Sequence, residues 1–161
     1  MTAAESAPGT LVARMGIEIV EEDPRRLVAR MPLTGNRQMY GFLHGGASAA
    51  FAQALATHAA ALEAGPGGRV TGQELSCTHH RAARGEGWVE GVCTPLYLGD
   101  AFGTYDVAVH DRRGNRIASA RLTCRLRRAA GPSARPAPTG ESALSREPAL
   151  SEESALSEES A

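Results

Sequence analysis

Gln38-Met39-Tyr40-Gly41-Phe42-Leu43-His44-Gly45-Gly46-Ala47-Ser48 is the stretch on which the reading of this chain turns. It closes a loop, passes a histidine and two glycines, and opens the longest apolar run of the sequence. Gly45 to Ala64 is rich in Ala and Leu, which favour helix. Apolar residues surround it on most faces, the pattern of a helix buried inside a domain, and Gly65-Pro66-Gly67-Gly68 stops it. Two glycines at the start of such a helix have two readings. Glycine lets a ligand approach the backbone closely, and free N–H groups at a helix start attract negative charge. An oxyanion developing from a carbonyl would be stabilised there by about 3 kcal/mol. Equally, Gly45 and Gly46 could simply let the helix pack tightly on a sheet, and spacing alone leaves both readings open.

Outward from the helix, the sequence alternates. Leu11 to Val20 reads as a strand, Asp23-Pro24 as a turn, and Arg26 to Leu33 as a second strand paired with the first. Thr34 to Gly41 is a loop with Gly35 and Asn36 as turn residues. After the helix come four strand-like runs: Val70 to Ala82, Trp88 to Leu98, Phe102 to His110 and Arg116 to Arg127. The connection through Arg113-Gly114-Asn115 suits a hairpin. Trp88 is expected in the core. Two strands, one long helix and four strands make an α+β layer architecture, a helix against an antiparallel sheet.

The composition narrows the function. The chain has 161 residues and a formal net charge of −1, one domain's worth without the dense basic stripe that nucleic acid calls for. Its basic residues are all arginine, which removes lysine Schiff bases and the P-loop lysine. Cys77, Cys93 and Cys124 are too few and too widely spaced for a disulfide framework or a usual zinc site, so buried reduced thiols and no metal are expected. Met1 to Thr10 lacks a basic segment followed by an apolar core, so it does not read as a signal peptide. Ala47 to Leu62, broken by Gln53, Thr57 and His58, is shorter than a membrane span. A cytoplasmic protein without membrane contact is expected. Residues 1–10 read as a flexible N-terminus and 11–128 as the folded domain. Residues 129–161 read as a disordered acidic low-complexity tail, with Ala-Leu-Ser-Glu-Glu-Ser repeated at 149–154 and 155–160.

Gly41-Phe42-Leu43-His44-Gly45-Gly46-Ala47-Ser48 resembles the signature of the hotdog-fold acyl-CoA thioesterases. The resemblance is to the group that includes the phenylacetate-pathway and Arthrobacter-type 4-hydroxybenzoyl-CoA enzymes and the proofreading thioesterase of enterobactin synthesis. Cys77-Thr78-His79-His80-Arg81 resembles the family's second landmark, on the strand after the helix. The resemblance runs from about Leu11 to Arg127. It implies one long central helix wrapped by an antiparallel sheet of about five or six strands. It also implies hydrolysis of an acyl-CoA or acyl-carrier-protein thioester, with no cofactor beyond the coenzyme A of the substrate. By this resemblance, Gln38 contacts substrate near the thioester, His44 holds the thioester region, and the Gly45 N–H polarises its carbonyl. Thr57 orients the attacking water, and Gly46 and His79 contact substrate. Arg81, with Arg84 beside it, meets coenzyme A phosphates. The family's site lies at a dimer interface, which would set Gln38, His44 and Gly45 of one chain against Gln53 and Thr57 of the other in a homodimer or in a homotetramer built of two such dimers.

One position departs from the pattern. Nine residues after His44 the family carries Glu or Asp as general base or nucleophile, and here the residue is Gln53. Four residues apart, Gln53 and Thr57 share a helix face, but an amide is no base at neutral pH. General base catalysis usually contributes ~10²–10⁴-fold. Three accounts follow: a histidine (His44, His58 or His79) supplies the base; hydrolysis is slow and rests on positioning; or the chain binds an acyl thioester without cleaving it. His58 is the least suited of the three histidines, because neighbours on a helix point about 100° apart. Glu74 is a further carboxylate on the following strand. Phe42 and Phe51 hint at the acyl pocket.

Overall fold

The structure is a computed structural model that describes residues 8–129. The chain divides into the units Met1–Ala129 and Ala130–Ala161, and the acidic repeats of the tail lie outside the described residues, as do the first seven residues. The elements are α1 (Leu11–Arg14), β1 (Glu18–Asp23), β2 (Arg26–Pro32), α2 (Gly45–Ala64), β3 (Arg69–His79), β4 (Trp88–Leu98), β5 (Phe102–Asp111) and β6 (Arg116–Arg127). The six strands form one antiparallel sheet in the order β1-β2-β4-β5-β6-β3, with β1 and β3 at its edges. α2 contacts every strand of it.

Leu11 to Val20 is not a single strand: Leu11–Arg14 is a helical turn capped by Thr10, whose hydroxyl accepts from the Ala13 N–H at 3.3 Å. Gly16, at φ +65°, then turns the chain into β1. The alternation misleads because Met15 and Ile17, two apart, are both buried, as in a strand, although both lie in the turn between α1 and β1.

Period-2 alternation builds the inner face of the sheet. Leu27, Ala29 and Met31 of β2, Val89 and Cys93 of β4, Tyr105, Val107 and Val109 of β5, and Leu122, Cys124 and Leu126 of β6 are buried. α2 lays Phe51, Ala52, Leu55, Ala56, Ala59 and Ala60 onto that face. The contact depends on Gly91 of β4, where a Cβ would stand 2.7 Å from Leu55 Cδ2 and 2.8 Å from Phe51 Cε1. Trp88 is not in the core; it is half-buried beneath the Arg30 guanidinium, 4.0 Å from its ring centroid. The cysteines are free. Cys93 and Cys124 are buried, which pushes their thiols up to about 12 and about 11, and Cys77 is half-buried.

The opposite side of α2 stays open. Both edge strands, β1 and β3, contact α2. Gln53 reaches toward Gly72 of β3, where a Cβ would be 3.6 Å from its Nε2. His58 bonds Glu22 of β1, Nε2 to Oε1, at 2.7 Å. β3 is exposed along almost its whole length, and its outer edge pairs with nothing among the described residues.

The β5–β6 hairpin turns on Asp111. Its Oδ1 accepts from the N–H groups of Arg113 and Asn115, each at 2.9 Å, and Gly114 takes φ +79°. The bond from the Asn115 side chain, with the two backbone bonds, holds the Asp111 carboxyl below its ordinary 3.8. A carboxyl lowered by folding contributes stability that is complete above the unfolded value and is lost as pH falls through the folded one. Asp111→Ala is therefore expected to lower Tm at pH 7, with the gap from wild type closing as pH is taken below 3.8. A pH series of thermal melts reads this directly.

Candidate active site

The loop before α2 is pinned from several sides. Asn36 is buried, and its side-chain amide donates to the carbonyls of Met15 (2.9 Å) and Pro32 (2.8 Å). Its own carbonyl accepts from the His44 N–H at 2.9 Å, and the Leu43 N–H donates to the Ala83 carbonyl at 3.0 Å. Gln38 closes the tip of the loop, its side-chain oxygen accepting from the Tyr40 N–H. Asn36 reads in the sequence only as a turn residue, and no local signal marks it as the anchor of this loop.

His44 is the N-cap of α2. Its backbone is extended (φ −69°, ψ 133°), and Nδ1 accepts from the Gly46 N–H at 2.8 Å. An accepting Nδ1 assigns the proton of the neutral ring to Nε2. The His44 carbonyl takes the N–H groups of Ala47 and Ser48. Of the first four helix donors, the Gly45 N–H alone has no acceptor among the described residues. The two readings of the glycine pair thus divide. A Cβ at Gly46 would press to 3.0 Å from His44 Nδ1, so this glycine serves the cap. Gly45 keeps a free donor, and it also lets the His79 ring lie close, a Cβ there falling 3.3 Å from His79 Cε1.

Behind Gly45 is a pair that the sequence did not announce. Ser48, buried on the first turn of α2, donates its hydroxyl to the Gly45 carbonyl at 2.9 Å and lies 2.8 Å from His79 Nε2. Because the Ser48 proton is already directed at a carbonyl, His79 Nε2 is the donor to it, with the Gly45 carbonyl 3.1 Å away. This network ties the β3 landmark to the helix start and fixes the peptide whose N–H is free.

The predicted residues fall into three places. Gln38, Gly45, His79 and Arg81 line one cavity of about 400 Å³ together with Phe42 and Ser48. His44 and Gly46 border a separate depression, which shares Leu11 and Ala50 with the groove of Gln53 and Thr57 described next. Arg84 stacks on Phe42, 4.3 Å from its ring centroid. Gln53 and Thr57 are elsewhere, in a groove of about 420 Å³ along the open side of α2. The Thr57 hydroxyl there offsets part of the rise that burial causes in the Cys124 thiol. Within one chain Gln53 and Thr57 do not line the cavity of Gln38, Gly45, His79 and Arg81. Phe51 belongs to neither: it is wholly buried between α2 and the sheet, a correction to its expected place in the pocket. No group of three or more His, Cys, Asp or Glu among the described residues is placed to hold a metal. No helix among them is long and apolar enough to cross a membrane.

A long buried helix against an antiparallel sheet, opened by a free N–H beside a capping histidine, defines a hotdog-fold acyl-thioester site. Comparison with known proteins agrees. The profile of the thioesterase superfamily matches residues 40–118. The chain is 42% identical over 116 residues to the proofreading thioesterase EntH of Cronobacter turicensis, covering 71% of this chain and 84% of that protein. It is 40% identical over 122 residues to EntH of Klebsiella pneumoniae, covering 75% and 85%. A thioesterase from Haemophilus influenzae superposes with a TM-score of 0.70 at 28% identity, covering 74% of this chain and 83% of that one. The chain belongs to the thioesterase superfamily, and its reaction is hydrolysis of a thioester.

Proposed function

We propose that the protein is a cytoplasmic homodimer that hydrolyses acyl-CoA or acyl-carrier-protein thioesters in sites shared by two subunits. The carrying observation is the Gly45 N–H, the one donor left free at the start of α2 beside Gln38 and His79. Preorganised donors aimed at a developing oxyanion supply the largest single share of catalysis in acyl transfer. In this reading the Gly45 N–H takes the thioester oxygen. Gln38 and the Nε2–H of His44 orient the thioester, and Arg81 on the exposed rim meets phosphate of the pantetheine carrier. His79 acts one step back, holding the Gly45 peptide through Ser48.

The separation of Gln53 and Thr57 from that cavity supports a second subunit. The open side of α2 presents Ala50, Ala54 and Ala61 with Gln53 and Thr57, a small-residue face suited to close approach of another helix. The long unpaired edge of β3 beside it is a template for strand pairing. Pairing β3 with its copy continues the sheet and sets the loop of one chain against the helix of the other.

Subunit complementation tests this. His44→Asn keeps a capping side chain and removes the imidazole; Thr57→Val removes the hydroxyl without changing shape. Each is expected to lose most thiol release on a panel of acyl-CoAs. Mixing the two after reversible unfolding should restore up to about one quarter of wild-type activity, since about half the dimers then hold one intact site of two. A mixture no more active than its components would rule out the shared site.

A further inference from the structure

The proposed site lacks a base, because Gln53 stands where the resemblance calls for a carboxylate. We infer that the Glu22–His58 pair supplies it: His58 is the general base of the hydrolysis and Glu22 the group that positions it. The inference deepens the proposed function and rests on its dimeric site.

Three observations carry it. First, His58 lines the same groove as Gln53 and Thr57. The residues that α2 gives that groove, Ala50, Gln53, Ala54, Thr57, His58 and Ala61, repeat at the three- and four-residue spacing of one helix side. A groove is wider than a line: the 100° between neighbours separates Thr57 from His58 across it without taking either out of it. Second, Glu22 accepts from His58 at 2.7 Å on Nε2. That bond leaves Nδ1 as the ring's lone pair, and Nδ1 has no partner among the described residues. A carboxylate on one nitrogen fixes the tautomer and stabilises the imidazolium formed when the other takes a proton. The bond is felt at Glu22, whose carboxyl is held below its usual range chiefly by His58. Third, the pair is half-shielded, with His58 26% and Glu22 20% exposed, and α1 faces the groove with the apolar Leu11 and Val12. Among the described residues, Glu22 from β1 is the charged group bonded to the ring.

The step balances without a cofactor. Nδ1 of His58 takes one proton from water as the water oxygen bonds to the thioester carbonyl carbon, whose oxygen becomes an oxyanion on the partner subunit's Gly45 N–H. The carbon–sulfur bond then breaks, the sulfur leaves with the electron pair, and the imidazolium returns the proton to it. The products are a carboxylic acid and a free thiol.

The test is thiol release from acetyl-, hexanoyl- and benzoyl-CoA by the full-length protein. His58→Ala is expected to lower kcat/KM ~10²-fold or more, with part of the loss recovered by added imidazole. Placing a carboxylate at the family position, His58→Ala with Gln53→Glu, should also restore turnover. Glu22→Gln should lower kcat with KM unchanged, a split that a purely structural tie between β1 and α2 would not produce. Wild-type turnover in His58→Ala overturns the proposal. So does a loss that neither imidazole nor Gln53→Glu recovers, or a kcat unchanged in Glu22→Gln. Gly45→Pro run alongside separates the two readings: if it is inactive while His58→Ala is not, the base assignment alone fails, and if both turn over normally the shared site fails with it.

Discussion

Gly45→Pro is expected to leave the fold intact and to lower kcat by ~10²–10³-fold, the usual loss when one oxyanion donor is removed. Proline is favoured at the first position of a helix, where its missing N–H bonds to nothing in any case. The residue before it must be extended, and His44 already is, at φ −69° and ψ 133°. No hydrogen bond is lost, because the Gly45 N–H has no acceptor among the described residues. Gly45→Ala is the control: it keeps the N–H and adds a Cβ 3.3 Å from His79 Cε1, which the ring can accommodate by a small shift. Steady-state kinetics with matched circular dichroism decides. A proline variant as active as the alanine variant would remove the Gly45 N–H from the mechanism.

The largest stability effect is expected at Phe51. Phe51→Ala should cost about 3–5 kcal/mol, roughly 10–20 °C in Tm for a domain of this size. The side chain is wholly buried and seated where Gly91 leaves room for its ring. The two positions are therefore coupled. Gly91→Ala alone places a Cβ 2.7 Å from Leu55 Cδ2 and 2.8 Å from Phe51 Cε1, an overpacking that costs about 1–3 kcal/mol. In the Phe51→Ala background, Leu55 can move into the vacated space and the added methyl should be nearly neutral. A double-mutant cycle by chemical denaturation measures that difference. Additive effects would mean that α2 does not seat against Gly91.

The active-site groups divide by how far their roles reach along the chain. His44, Gly45 and Gly46 are adjacent, and the cap they form is a local affair, legible as a histidine before two glycines at a helix start. Ser48 and Asn36 act on partners that the fold delivers: Ser48 meets His79 from β3, and Asn36 ties the loop to Met15 and Pro32. Neither residue type is unusual where it stands, so the sequence carries no mark of its role. His58 shows the limit most clearly. Its place on the helix wheel set it apart from Thr57, but a groove spans more of a helix than one residue's direction. Its partner Glu22 lies 36 positions away.

The sequence by itself determined the elements whose signal is periodic and local. The ends of α2, β4 and β6 stand where composition, glycine breaks and alternation set them, and the order of two strands, one long helix and four strands carried the α+β layer architecture. Leu11 to Val20 was misread because alternation over so short a span is shared by a strand and by a turn that buries two nearby residues. Tertiary structure alone decided which of two glycines is packed and which keeps a free N–H, which serine and asparagine hold the site, and which histidine faces the groove beside Gln53. Those are contacts between segments far apart in the chain. Their energies depend on distance and direction in space, and a one-dimensional pattern does not encode either.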